Sequence, residues 1–293
     1  MQLEKSVDSV ILVTGAGGKT GRQLVRQLAD RGIGVRAMVI RPNQVEEMLA
    51  LGAHEARPGN LLDTGDLSRC MDGVQAVYHI CPNVHPREVE IGEATIAAAR
   101  SAGVGRFVFH SVLYPDVEAM PHHWQKWRVE QELRASGLAF TILQPCAYMQ
   151  NVLAQLQGIR DHGRLEEPYD VGAEFSVVDL GDVAAAAATV LLDPGHEGLT
   201  YALCGPEPIS HRRMARELGT VMGRPVEAVA IDPADWEMSA RSSGLGDYAI
   251  DALLKMFLWY DRNGFAGSST DLESLLARPA TPFSEFVQGA IES

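Results

Sequence analysis

The chain has 293 residues, 46% of them apolar and 22% charged, the make-up of a globular protein with room for a sizeable core. Its 38 acidic against 25 basic residues give a net charge of −13, a field that repels phosphate backbones and anionic bilayers. Nucleic acid and membranes are therefore not expected as partners, whereas an anionic cofactor stays possible, because backbone dipoles at a helix end act locally. The four cysteines, Cys70, Cys81, Cys146 and Cys204, form no C-x-x-C pair and stand by no histidine ladder, so neither a metal site nor a disulfide framework is expected. The N-terminal stretch MQLEKSVDS is polar and unlike a signal peptide or span, and a cytoplasmic location is expected.

In chain order, VILVTG (10–15) is a short β-branched run ended by glycine, as a strand buried on both faces would be. KTGRQLVRQLADRG follows with Leu24, Val25 and Leu28 at helical spacing and Gly32 placed to close the helix. VRAMVI (35–40) is the second strand, QVEEMLALG a helix, and HEARPGN a third strand with its turn. AVYHI (76–80) and RFVFHS (106–111) are the fourth and fifth strands, separated by an alanine-rich helix over 88–102. A helix over 124–136 leads to the sixth strand, AFTIL (139–143), stopped by Pro145. Beyond it, VVDLGDVAAAAATVLLD (177–193) is a strand end and a close-packing helix, and LTYALCG (199–205) a seventh strand. The rest is helical, with one short strand in RPVEAVAI. The alternation implies an α/β fold, a doubly wound parallel sheet over 1–150, completed by about 176–205, with a smaller C-terminal α+β cap from 151–175 and 206–293.

VTGAGGKTG places G-x-x-G-x-x-G between a strand and a helix. Gly15 suits a tight turn without Cβ, Gly18 the close approach of a diphosphate, and Gly21 the packing of helix on sheet. The helix N-terminus then offers N–H groups and partial positive charge to phosphate, with Gly17, Lys19 and Thr20 in the same turn. No Gly-Lys-Ser/Thr follows at P-loop spacing. At the end of the second strand, where an NAD site carries a carboxylate, stands Arg41, which points to the 2′-phosphate of NADP(H) rather than to NAD.

With VTGAGGKTG, VRAMVIRP, PGNL, RFVFHSV, HHWQKWRVEQELRASGLAFTILQPCAYMQN and VDLGDVA in order, the chain resembles the NmrA-like family of atypical short-chain dehydrogenases/reductases. The resemblance implies a Rossmann domain binding NADP(H), a small substrate domain, and either reductase chemistry or nucleotide sensing without turnover. It also implies that Asn60, with Leu61 beside it, lies toward the adenine, that Cys81 and Pro82 flank the nicotinamide half, and that Ser111 and Pro145 border the site. The superfamily's tyrosine position holds His122 and its serine position Val112, while the lysine is kept as Lys126. His122, Lys126 and Glu130 are spaced to share one helix face. His122 is read as a proton donor or as a helix-start or packing residue, like His123. Lys126 is read as a contact to the cofactor ribose or as a partner of Glu130. Tyr114 is a second-choice acid; Asp179 and Asp182 cap a helix. Tyr148, Trp236, Tyr248 and Trp259 line an apolar pocket or form core. The leading expectation is an NADPH-dependent oxidoreductase for a small apolar or aromatic quinone, enone or ketone. The alternatives are a regulatory NADP(H) sensor, or an isomerase or lyase on the same fold; monomer and homodimer are both open.

Overall fold

The alternating apolar runs fold into parallel strands joined by helices. The structure is a computed structural model that describes residues 10–292, so the polar N-terminal stretch lies outside the described residues. The first half runs β1 (Val10–Val13), α1 (Lys19–Asp30), β2 (Gly34–Val39), α2 (Val45–Ala50), β3 (Glu55–Pro58), α3 (Thr64–Met71), β4 (Ala76–His79), α4 (Glu88–Ser101), β5 (Arg106–His110), α5 (Pro121–Ala135) and β6 (Phe140–Pro145). There follow β7 (Ala147–Tyr148), α6 (Leu156–His162), β8 (Arg164–Glu167), β9 (Glu174–Val178), α7 (Leu180–Leu192), β10 (Thr200–Leu203) and β11 (Pro208–Ser210). The chain ends through α8 (His211–Met222), β12 (Glu227–Ala230), α9 (Pro233–Ser242), α10 (Asp247–Asn263), α11 (Thr270–Leu276) and α12 (Phe283–Glu292).

Seven strands form one parallel sheet in the order β3-β2-β1-β4-β5-β6-β10. Alternate side chains serve two cores. Ile11 and Val13 face α1 and α7 through Leu24, Leu28, Val183 and Ala187, whereas Leu12 faces α3, α4 and α5 through Leu67, Ile96 and Val129. Each of the valine, leucine and isoleucine side chains among them stabilises the fold by about 1.5–3 kcal/mol. The small alanines of α7 let it lie close against α1. Strand order reverses between β1 and β4, and a crevice opens there at the C-terminal strand ends.

Two assignments differ from the sequence reading. Helix α5 starts at Pro121, three residues before 124, because proline at the first helical position already has helical φ. The strand before α7 joins a small sheet, β7-β9-β11, instead of the large one, so only α7 and β10 of that stretch complete the doubly wound unit. Asp179 caps α7 through the Gly181 N–H at 3.1 Å. Asp182 acts differently. It is buried, binds Arg278 and the Thr281 N–H, and so ties down the C-terminal segment. All four cysteines are buried free thiols. No helix among the described residues is long and apolar enough to cross a membrane.

Candidate functional site

The crevice is an open cleft of about 860 Å³ along the strand ends. Every residue named above as a cofactor contact borders it, from Gly15 and Gly17 through Arg41, Asn60 and Cys81 to Ser111, Lys126 and Pro145. At its head the turn after β1 needs its glycines. Gly15 has φ +61°, and a Cβ there would stand 2.8 Å from the Ile80 carbonyl oxygen. A Cβ on Gly21 would meet the Gly15 oxygen at 2.5 Å and the Ala16 Cα at 2.6 Å, so α1 packs against its own entry turn. No side chain caps α1 and no carboxylate sits in its first turn, which leaves its N–H groups and partial positive charge to the cleft. These features fit a diphosphate.

Arg41 is exposed beyond the end of β2, at the rim. The Asn60 side-chain oxygen accepts from the Leu62 N–H at 3.0 Å. Cys81 is buried; burial and the nearby Glu88 carboxylate push its thiol well above the ordinary range, so it meets a ligand as a neutral group. Arg41→Glu is expected to weaken NADPH binding at least tenfold and NADH binding little; equal losses in paired titrations would remove Arg41 from the 2′-phosphate.

At the other end, α5 brings His122 and Lys126 to the cleft, but not as the helix spacing suggested. Lys126 does not pair with Glu130. Its Nζ donates to Glu88 Oε1 at 2.6 Å and to the His110 carbonyl at 3.3 Å. Glu130 instead accepts from Ser111 Oγ at 2.5 Å and from Gln144 Nε2 at 2.9 Å. Ser111 thus spends its proton inside the wall, and Val112 borders the cleft where a serine hydroxyl would serve. Glu88, at the start of α4, is 1% exposed. Burial works to raise its carboxyl, but the charge of Lys126 and the nearby His122 outweigh it and hold the group near 2. His122 Nδ1 faces Glu88 Oε2 at 3.6 Å, and neither atom has a hydrogen-bond partner among the described residues. His123 is a packing residue, held neutral by burial with its pKa near 3 and its Nδ1 against the Tyr114 carbonyl at 3.1 Å.

Tyr114 does not reach the cleft; its hydroxyl donates to the Ala266 carbonyl, which removes it as an acid. Of the four aromatics, Tyr148 alone lines the cleft, while Trp236 packs edge-on against Phe257 and Trp259 packs beside Tyr260. The apolar wall comes from Leu253 and Met256 on α10 and from Phe265. Sequence reading also missed a buried chain in which Tyr78 Oη meets His110 Nδ1 at 2.7 Å and His110 Nε2 meets Tyr148 Oη at 2.6 Å. The available signal was a histidine inside the apolar run RFVFHS, since polar groups in a buried strand need partners.

Residues 7–287 match the model of the NmrA-like family. The chain is 32% identical over 281 residues to an NAD(P)H azoreductase of Xenophilus azovorans, covering 95% of this chain and 97% of the relative. It is 34% identical over 286 residues to (4-alkanoyl-5-oxo-2,5-dihydrofuran-3-yl)methyl phosphate reductase of Streptomyces griseus, covering 94% and 96%. An NADPH-dependent quinone oxidoreductase of Escherichia coli, crystallised with NADPH, superposes with a TM-score of 0.83 at 26% identity, covering 96% of this chain and 99% of that one.

Proposed function

Because the chain belongs to the NmrA-like family, we propose that it is an NADPH-dependent reductase of small, electron-poor acceptors such as quinones, enones or azo compounds. The observation that carries this is one cleft holding the glycine turn, the rim arginine, Lys126 and an apolar wall together. The chemistry such a dinucleotide supplies is hydride transfer.

The chain's own residues then have separable roles. The turn and the end of α1 hold the diphosphate, and Arg41 selects the 2′-phosphate. Glu88 fixes the Lys126 ammonium so that its remaining N–H reaches a ribose hydroxyl. His122 gives a proton to the reduced acceptor, its ring standing beside the Glu88 carboxylate. Leu253, Met256 and Phe265 receive a flat apolar acceptor and keep water from it. A reactive quinone needs little acid assistance, which suits a site whose serine is tied to Glu130.

The test is loss of nicotinamide absorbance when NADPH is mixed with a panel of quinones, enones and azo dyes. Tight binding without oxidation would favour the sensing role, which the spent Ser111 and distant Tyr114 also favour. His122→Ala is expected to lower turnover about 10- to 100-fold on ketones and less on quinones. Unchanged turnover on every working substrate would remove it as the acid.

A further inference from the structure

We propose that the Tyr148 hydroxyl donates a hydrogen bond to the diphosphate of the dinucleotide, aimed into the cleft by the buried His110–Tyr78 pair. This rests on the cofactor reading above and names a contact which that reading does not use.

The direction of each hydrogen bond follows from where the protons can sit. Tyr78 is fully buried on β4, and among the described residues its hydroxyl meets a single hydrogen-bond partner, His110 Nδ1. A buried O–H left without an acceptor is costly, so Tyr78 donates and Nδ1 accepts. Burial first, then the Lys126 charge, lower the His110 pKa to about 3, so the ring is neutral and carries one N–H. That N–H is on Nε2 and is donated to the Tyr148 oxygen at 2.6 Å. Thr20 lies beside the same phenol and favours its charged form. Tyr148 thus accepts from His110, and its own proton is left for the cleft it lines.

Place decides what receives that proton. Thr20 lies in the first turn of α1, the uncapped end that suits phosphate. His110 and Phe109 are consecutive on β5 and so point to opposite faces of the sheet. Lys126 lies over the Phe109 ring at 5.5 Å, on the α4 and α5 side, whereas Tyr148 follows His110 to the α1 side. Lys126 and His122 therefore approach the cleft from the α4 and α5 face of the sheet, and Tyr148 with Thr20 from the α1 face. Burial raises the Tyr148 phenol well above its ordinary range, which keeps it a donor at neutral pH.

The experiment titrates NADPH and 2′-phospho-ADP-ribose, which has the diphosphate but no nicotinamide, into the full chain and its variants. Tyr148→Phe is expected to weaken both ligands by about tenfold, the value of a hydrogen bond to a charged group. Tyr78→Phe takes nothing from the cleft, yet frees His110 Nδ1 to carry the proton and is expected to weaken both ligands in the same direction. Loss for NADPH alone, or unchanged binding with lower turnover, would overturn the assignment by moving the phenol to the nicotinamide or the acceptor. Unchanged affinity in Tyr78→Phe would overturn the aiming chain. If the unaltered protein bound neither ligand, the cofactor reading itself would fall.

Discussion

Lys126→Met is expected to lose about 3–5 kcal/mol of stability near neutral pH, because it strands the Glu88 carboxylate, 1% exposed, without its cation. The double variant Lys126→Met/Glu88→Gln should recover much of that loss, since a neutral buried amide carries no unpaired charge. The pH dependence gives the sharper reading. In the parent, the Glu88 pKa is held near 2 against 4.5 for the free side chain. Its contribution to stability is therefore complete above about 4.5 and is lost as pH falls toward 2. In Lys126→Met only burial and His122 remain, the desolvation that now raises the pKa dominates, and the sign reverses: the variant regains stability as acid protonates the carboxyl. Urea midpoints between pH 7 and 4 should fall or stay level for the parent and rise for the variant relative to it. Parallel curves would show that the pair is not the ionic unit described. Turnover should drop at least about 100-fold in both variants if Lys126 holds the ribose.

Gly21→Ala is expected to cost at least about 100-fold in NADPH affinity and about 1–3 kcal/mol of stability. The added methyl would meet backbone at 2.5 and 2.6 Å on Gly15 and Ala16, atoms that cannot rotate away. The N-terminus of α1 must move off the turn, and its N–H groups go with it. Gly158 in α6 is the control: a Cβ there meets nothing within 4 Å. Gly158→Ala should stabilise by about 0.5–1 kcal/mol and leave affinity unchanged. Equal affinity losses at the two positions in calorimetric titrations would sink the steric account.

The parts of this molecule that were legible in its sequence are the local ones. Strand β1, the turn and α1 are contiguous, so periodicity and glycine spacing suffice to place them. The place of Arg41 at the rim was legible because it lies just past a strand whose length the apolar run sets. Glu88 was not, since it meets Lys126 across 38 residues and nothing in either local pattern marks the pair. The helix face shared by His122, Lys126 and Glu130 was read correctly as geometry and wrongly as chemistry. Partners from α4 and β5 reach Lys126, and Ser111 after β5 and Gln144 on β6 reach Glu130, before these can reach each other. Tyr114 failed for a related reason, as its backbone at φ +52° turns the side chain toward Ala266.

Helix α10 reaches the cleft through Leu253 and Met256 while packing mainly on α5 and α9, outside the seven-stranded sheet. The proposed acceptor wall thus rests on α9, outside the sheet, and on α5, the helix that also carries Lys126. Sequence drift or a directed library confined to the cleft-facing positions of α10 is expected to resize the proposed acceptor chamber while the glycine turn, built on β1 and α1, keeps its fit. Such a layout is evolvable: one inherited redox engine, with a replaceable wall that sets what it reduces.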